Sequence, residues 1–166
     1  ISDRKQAEAI IWKQANFDSL TELPNRNLFL ERLEQAVLNC DRNGQSLGLI
    51  YLDLDRFKRI NDSMGHDMGD MLLVETAARL KQAVREVDTV SRLGGDEFTI
   101  ILGQIDDQIS VQRVCQKVNE VLAEPFQLDG ESVHMSASIG VSFYPEDAND
   151  IESLQRNADQ AMYEAK

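Results

Sequence analysis

The chain has 166 residues, 42% of them hydrophobic and 28% charged, which suits one globular domain with a sizeable core. Its 29 acids against 17 basic residues give a net charge of −12, and no long basic stripe is present, so a nucleic-acid duplex is disfavoured as a partner. No apolar run is long enough for a transmembrane helix.

Residues 4–16 read as a helix with Ala7, Ile10, Ile11 and Ala15 towards one side. The segment 18–26 is a polar turn broken by Pro24. A second helix carries Leu28, Phe29, Leu33, Ala36 and Val37 at helical spacing and ends near Asn43-Gly44. Leu47 to Leu54 is a nearly continuous apolar run, the pattern of a strand buried on both faces. Gly65 precedes a long helix over 67–86. Strands at 89–93 and 98–102 form a hairpin whose turn is Gly94-Gly95-Asp96-Glu97. A helix over 107–123 stops before Pro125, a small hairpin turns through Asp129-Gly130, and Ser136 to Phe143 is a strand. Asp150 or a neighbour caps a last helix, 151–165. Helices alternate with strands, but hairpins interrupt the alternation. The pattern predicts an α+β domain, with helices packed on a mixed sheet rather than a doubly wound parallel one. Cys40 and Cys115 lie far apart without metal-type spacing and read as free thiols.

The run Arg92-Leu93-Gly94-Gly95-Asp96-Glu97-Phe98 carries the most chemistry. Two glycines permit a tight turn and a close approach of another molecule. The two carboxylates after them suit a hard divalent cation held against phosphate oxygens better than they suit a core. Asp53 and Asp55 end the apolar strand, where a carboxylate is costly unless paired or metal-bound. Capping of the next turn is the alternative for these two. A second acid pair on a neighbouring strand turn favours a shared Mg²⁺.

Asn61 and Asp70 bracket a turn into the long helix. A carboxylate accepts from guanine N1–H and its 2-amino group, donors that adenine lacks there, and an amide can pair with another base edge. Capping by Asn61 and solvation of Asp70 are the plain alternative, and His66 reads as a packing or capping residue. Arg85 and Asp88, three apart, are either a solvated ion pair or a phosphate fork beside a base acceptor, with Arg113 or Lys117 as candidates for a second cation.

These segments, in this order, resemble the GGDEF family of diguanylate cyclases. Asp18 to Arg26 resembles its N-terminal Asp-x-Leu-Thr-x-Leu-x-Asn-Arg, Asp53 to Asp70 its strand and nucleotide-binding turn, and Arg92 to Phe98 its signature hairpin. Ser138 to Val141 and Ala158 to Lys166 resemble its last core strand and helix. The resemblance covers residues 17–166 and implies a nucleotidyl cyclase or polymerase palm-like α+β fold, with a central, mostly antiparallel sheet flanked by helices. It implies Mg²⁺-dependent condensation of two GTP into cyclic di-GMP, with Mn²⁺ as a substitute cation and a homodimer needed for catalysis. By position, Asp53, Asp96, Glu97 and the carbonyl of Leu54 would serve the metal, and Asp96 or Glu97 would be the base. Lys58 and Lys166 would face the phosphates, Asn61 and Asp70 would read guanine, and the backbone at Phe57 and Gly94 would lie along the triphosphate. Arg85 and Asp88 would form the inhibitory product site.

The family pattern continues past Lys166 with a Gly-Arg-Asn segment that this sequence does not include. Ile1 to Glu8 resembles the exit from a PAS sensor domain into a signalling helix, which would span residues 1–16. That implies a fragment of a larger bacterial sensor, cytoplasmic or the cytoplasmic part of a membrane-associated protein, with no membrane contact by the domain itself. The competing function is a catalytically silent module that binds GTP or cyclic di-GMP. A polymerase palm is disfavoured by size and by the missing basic groove.

Overall fold

A computed structural model describes residues 2–166; Ile1, the first residue of the segment likened to a sensor exit, lies outside them. In chain order the elements are α1 (Ser2–Asn16), α2 (Arg26–Asn43), β1 (Ser46–Leu54), α3 (Phe57–Met64), α4 (His66–Ala83) and β2 (Thr89–Gly94). Then follow β3 (Glu97–Ile105), α5 (Gln108–Ala123), β4 (Phe126–Leu128), β5 (Glu131–Val133), β6 (Ala137–Tyr144) and α6 (Ile151–Glu164).

Every residue from Leu47 to Leu54 is buried, and β1 accordingly sits inside the sheet, between β3 and β6. The sheet order is β2-β3-β1-β6, and its three pairings are all antiparallel. The central antiparallel sheet flanked by helices that the family resemblance implies is thus present, while the mixed sheet expected from helix–strand alternation is corrected. The helical crossovers from β1 to β2 and from β3 to β6 each skip one position, and the strand between runs the opposite way. The small β4–β5 hairpin stands apart from this sheet.

Strand period two divides the core. Ile50, Leu52 and Leu54 join Phe98, Ile100 and Leu102 against Leu72 and Leu80 of α4 and Val111 and Val118 of α5. Leu47, Leu49, Tyr51 and Ile101 belong to the other cluster, with Phe29 and Leu33 of α2 and Leu154, Ala158 and Met162 of α6. Each such buried leucine contributes about 1.5–3 kcal/mol. The backbone of α6 lies directly on β6 at Gly140, where a Cβ would stand 2.1 Å from the Met162 nitrogen and 2.2 Å from the Ala158 oxygen. That close approach brings the C-terminal end of α6 over the end of β1.

Caps fix the helix ends. Asn25 accepts from the Leu28 amide at 3.2 Å, Gly44 closes α2 at φ 67°, and Asp150 accepts from the Ser153 amide at 2.7 Å. Two boundaries differ from the sequence reading. Residues 57–64 form a helix of their own, and α4 ends at Ala83, so Arg85 to Asp88 is a turn rather than a helix end.

Candidate functional site

The ends of β1 and β3 bring the expected acids together. Asp53 stands opposite Glu97 on β3 and Ser138 on β6, while Asp96 lies in the intervening hairpin turn. The Leu54 amide donates to the Asp96 carbonyl at 3.4 Å, and the Leu54 side chain is in the core. Asp53 is only 7% exposed; Lys166 Nζ donates to its Oδ2, and its Oδ1 is buried without a partner. Asp96 is a near neighbour of Asp53, and burial first, then that carboxyl, pushes its pKa up to about 7. Glu97 is also raised, by burial, then by Asp159 and Asp53.

This donor set fits a hard divalent cation. Three oxygen-ligand side chains crowd one corner, one buried carboxylate oxygen has no donor, and Lys166 on Asp53, with Arg26 near Glu97, only partly offsets them. Among the described residues no three such side chains converge tightly enough to cage a metal alone. Mg²⁺ is usually held by one or two carboxylates together with phosphates. Asp55 behaves differently from Asp53. Its oxygens accept from Ser136 Oγ at 2.7 Å and Ser138 Oγ at 2.6 Å, tying the end of β1 to β6.

The hairpin turn is held from outside. Gly94 and Gly95 have φ 143° and 51°, a backbone that side chains rarely adopt. Arg92 donates to the Gly95 carbonyl through Nε at 3.0 Å and Nη2 at 2.8 Å, and Nη1 reaches both oxygens of Asp18 at 2.9 and 3.0 Å. Asp18 also accepts from the amide and hydroxyl of Thr21, and the Arg92 amide donates to the Pro24 carbonyl at 3.0 Å.

A cradle forms where α3 meets α4. Phe57 is buried at the start of α3, and Lys58 beside it is exposed on an open cleft. Asn61 Oδ1 is buried without a donor and lies 1.7 Å from where a Cβ on Gly69 would stand. Gly69 thus gives Asn61 its place, and the exposed Asp70 follows it on α4.

Arg85 and Asp88 form a closed pair. Arg85 donates to Asp88 through its amide, Nε and Nη2 at 2.9, 3.1 and 2.9 Å, and Nη2 also reaches the Gly103 carbonyl at 2.7 Å. The Asp88 side chain is 1% exposed, that of Arg85 54%. Arg32 and Lys81 share the cleft beside this pair, whereas Arg113 and Lys117 of α5 do not line it.

The sequence matches the family described as "Diguanylate cyclase, GGDEF domain" across residues 15–166. The chain belongs to the GGDEF family. It is 42% identical over 149 residues to the bifunctional diguanylate cyclase/cyclic di-GMP phosphodiesterase MucR of Pseudomonas aeruginosa, a match covering 90% of this chain and 22% of MucR. It is 43% identical over 163 residues to the cyclic di-GMP phosphodiesterase NbdA of the same organism, covering 96% of this chain and 20% of NbdA. The chain thus spans about a fifth of the length of these relatives. The solved GGDEF domain of Pseudomonas aeruginosa TpbB superposes with a TM-score of 0.88 at 41% identity, over 90% of this chain and 88% of that one.

Within this GGDEF domain, two supports of the site escaped the sequence reading. In the sequence Gly69 is one more residue of the expected 67–86 helix, and only its close approach to Asn61 reveals its use. Arg92 was read with the signature and Asp18 with the N-terminal turn; their 74-residue separation conceals the bond between them.

Proposed function

We propose that this GGDEF domain is an active diguanylate cyclase, condensing two GTP into cyclic di-GMP with release of two pyrophosphates. The observation that carries the proposal is the strand-end pair Asp53–Asp96, with an orphaned carboxylate oxygen and a raised Asp96, next to the α3–α4 cradle.

Asp53, Asp96 and Glu97, with the Leu54 backbone, would hold Mg²⁺ or Mn²⁺; when bound, the cation neutralises charge on the α-phosphate and leaving group and lowers the pKa of the attacking 3′-hydroxyl. Asp96 and Glu97 are the candidates for taking that proton, because both carboxylates stand at the strand end beside Asp53; without the cation, burial and neighbouring acids raise both above their ordinary values. Lys58 and Lys166 supply cations to the phosphates, and the backbone at Phe57 and Gly94 lies along them. Asn61 and Asp70 offer the guanine edge the acceptors its donors need. Each domain holds one GTP, so turnover needs two domains facing across a two-fold axis.

Product would be held at Arg85 and Asp88, with Arg32 and Lys81 from the same cleft. Residues 1–16 would act as a signalling helix from an upstream sensor. Its Ile10, Ile11 and Trp12 are 57%, 64% and 57% exposed, a patch suited to a partner helix. None of the described helices is long and apolar enough to cross a membrane. The cytoplasm, where GTP is made, is the proposed location.

The purified domain incubated with GTP and Mg²⁺ should yield cyclic di-GMP, detected by mass. Binding of GTP or cyclic di-GMP with no synthesis at high protein concentration would instead favour a silent module. The likeness to NbdA, named as a phosphodiesterase, is what keeps that second reading in play.

A further inference from the structure

Beside the acids, the same end of the sheet carries cations that the reaction outlined above leaves without a role. Arg56 precedes α3 in a left-handed conformation, at φ 61°, and its side chain caps nothing. Such a backbone is unfavourable for a bulky residue and collects at functional sites. Arg56 and Arg59 line an open cleft of about 890 Å³ together with His134, Ser136, Ser138 and Lys166. The same two arginines line a shallower cleft with Lys58 and one acid, Asp62, so cations outnumber acids along the edge from Lys58 to Lys166. Neither arginine takes part in an ion pair among the described residues. Asp55, the acid on the cleft wall, is engaged by Ser136 and Ser138. In a chain of net charge −12, unpaired arginines gathered beside buried carboxylates create a local field that attracts an anion.

We propose that Arg56, Arg59 and His134 form a polyphosphate-binding rim, which takes the β- and γ-phosphates of the bound nucleotide and then free pyrophosphate. The assignment rests on the cyclase reading of the neighbouring acids. Guanidinium forks match phosphate oxygens two at a time, and a chain of two phosphates spans more than one such fork. In the reaction the 3′-oxygen bonds to the α-phosphorus as the bridging bond to the β-phosphate breaks. The electron pair leaves with pyrophosphate, and the rim receives that charge while the 3′ proton passes to the base.

The test is calorimetric titration of Mg-pyrophosphate, GTP and GMP into the wild-type domain and into an Arg56→Gly/Arg59→Gln variant. Glycine keeps the left-handed backbone at position 56. The variant should bind pyrophosphate and GTP about tenfold more weakly or worse, with GMP affinity unchanged. Loss confined to GTP overturns the handover to pyrophosphate, and loss confined to pyrophosphate overturns a part in holding the nucleotide. Removing the same charge from α1 with Lys5→Gln and Lys13→Gln should change none of the three. Unaltered affinities in the arginine variant, or equal losses in the α1 variant, overturn the rim. A domain that takes pyrophosphate through these arginines but no guanine nucleotide upholds the rim and overturns the cyclase reading.

Discussion

Asp18 and Arg92, 74 residues apart, form a two-pronged ion pair whose arginine also grips the Gly95 carbonyl. Both side chains are largely shielded, at 19% and 13% exposure. One guanidinium therefore fastens the signature turn to the segment that follows α1. Asn25 extends the connection, donating from Nδ2 to the Ala15 carbonyl at the end of α1 while capping α2. A change at the N-terminal helix thus has a short polar route to the hairpin that carries Asp96 and Glu97.

Arg92→Met should leave Asp18 shielded without its cation and free the Gly95 carbonyl, lowering stability by about 1–3 kcal/mol. Arg92→Lys should not restore it, because an ammonium lacks the planar fork that serves both acceptors. Urea unfolding measures the first effect. Hydrogen exchange at the Glu97 and Phe98 amides should quicken in both variants, and unchanged exchange there would show that the turn holds itself.

Asp53→Ala and Asp96→Asn should each cut cyclic di-GMP synthesis by about a hundredfold or more, since charge on the transferring phosphoryl group would lose its counterweight. Circular dichroism and the thermal midpoint should report an intact fold. Near wild-type turnover at saturating Mg²⁺ in either variant would remove that acid from the metal site.

The raised Asp96 makes the stability of the domain depend on pH. A carboxyl whose pKa rises on folding holds its proton more tightly in the native state. Its stabilising contribution is complete below the unfolded value, about 4, and is lost as pH climbs through about 7. Glu97 acts in the same direction. With divalent cations chelated, the thermal midpoint should fall between pH 5 and pH 8, and Asp96→Asn should flatten that slope. Mn²⁺ binding should tighten across the same window, because the proton must leave. A midpoint that rises through this range would contradict the assignment.

Much of the fold was legible because its signals are local. The unbroken apolar run of β1, the glycine turn after Leu93 and the Asp150 cap each declare themselves within a few residues. Helix α3 did not, because its eight residues hold few apolar positions and only Phe57 is buried. The all-antiparallel sheet was missed by alternation alone, since strand direction depends on which neighbour each crossover skips. In the site, acids at strand ends could be read directly. What holds them could not: Asp55 parts from Asp53 because Ser136 and Ser138, some eighty residues on, claim its oxygens.

Gly69→Ala separates nucleotide recognition from stability. Alanine favours the α4 helix by about 1 kcal/mol, yet its methyl would stand 1.7 Å from Asn61 Oδ1. Asn61 must swing away, and Phe57 Cζ, 3.3 Å from the same methyl, must yield by a few tenths of an ångström. GTP affinity should fall about tenfold with the thermal midpoint held or raised, as calorimetry and a melting curve would reveal. Wild-type GTP affinity in this variant would deny Asn61 a part in the guanine site.

Feedback by product tests the Arg85 cleft. Asp88 is almost wholly enclosed and takes three bonds from Arg85, so Arg85→Ala strips a buried carboxylate of its cation as well as removing a phosphate donor. That variant should lose stability, about 1–3 kcal/mol, along with affinity for cyclic di-GMP. Lys81→Ala supplies the cleaner measurement. Lys81 is exposed on the same cleft and belongs to no ion pair among the described residues, so its removal should spare the fold. Cyclic di-GMP affinity should drop a few-fold in Lys81→Ala and more in Arg85→Ala, and product should accumulate further in both before synthesis slows. Initial rates should match the wild type, because the cleft lies apart from Asp53 and Asp96. If both variants bind cyclic di-GMP as the wild type does, Arg85 and Asp88 serve only to shape the turn into β2, and product acts elsewhere.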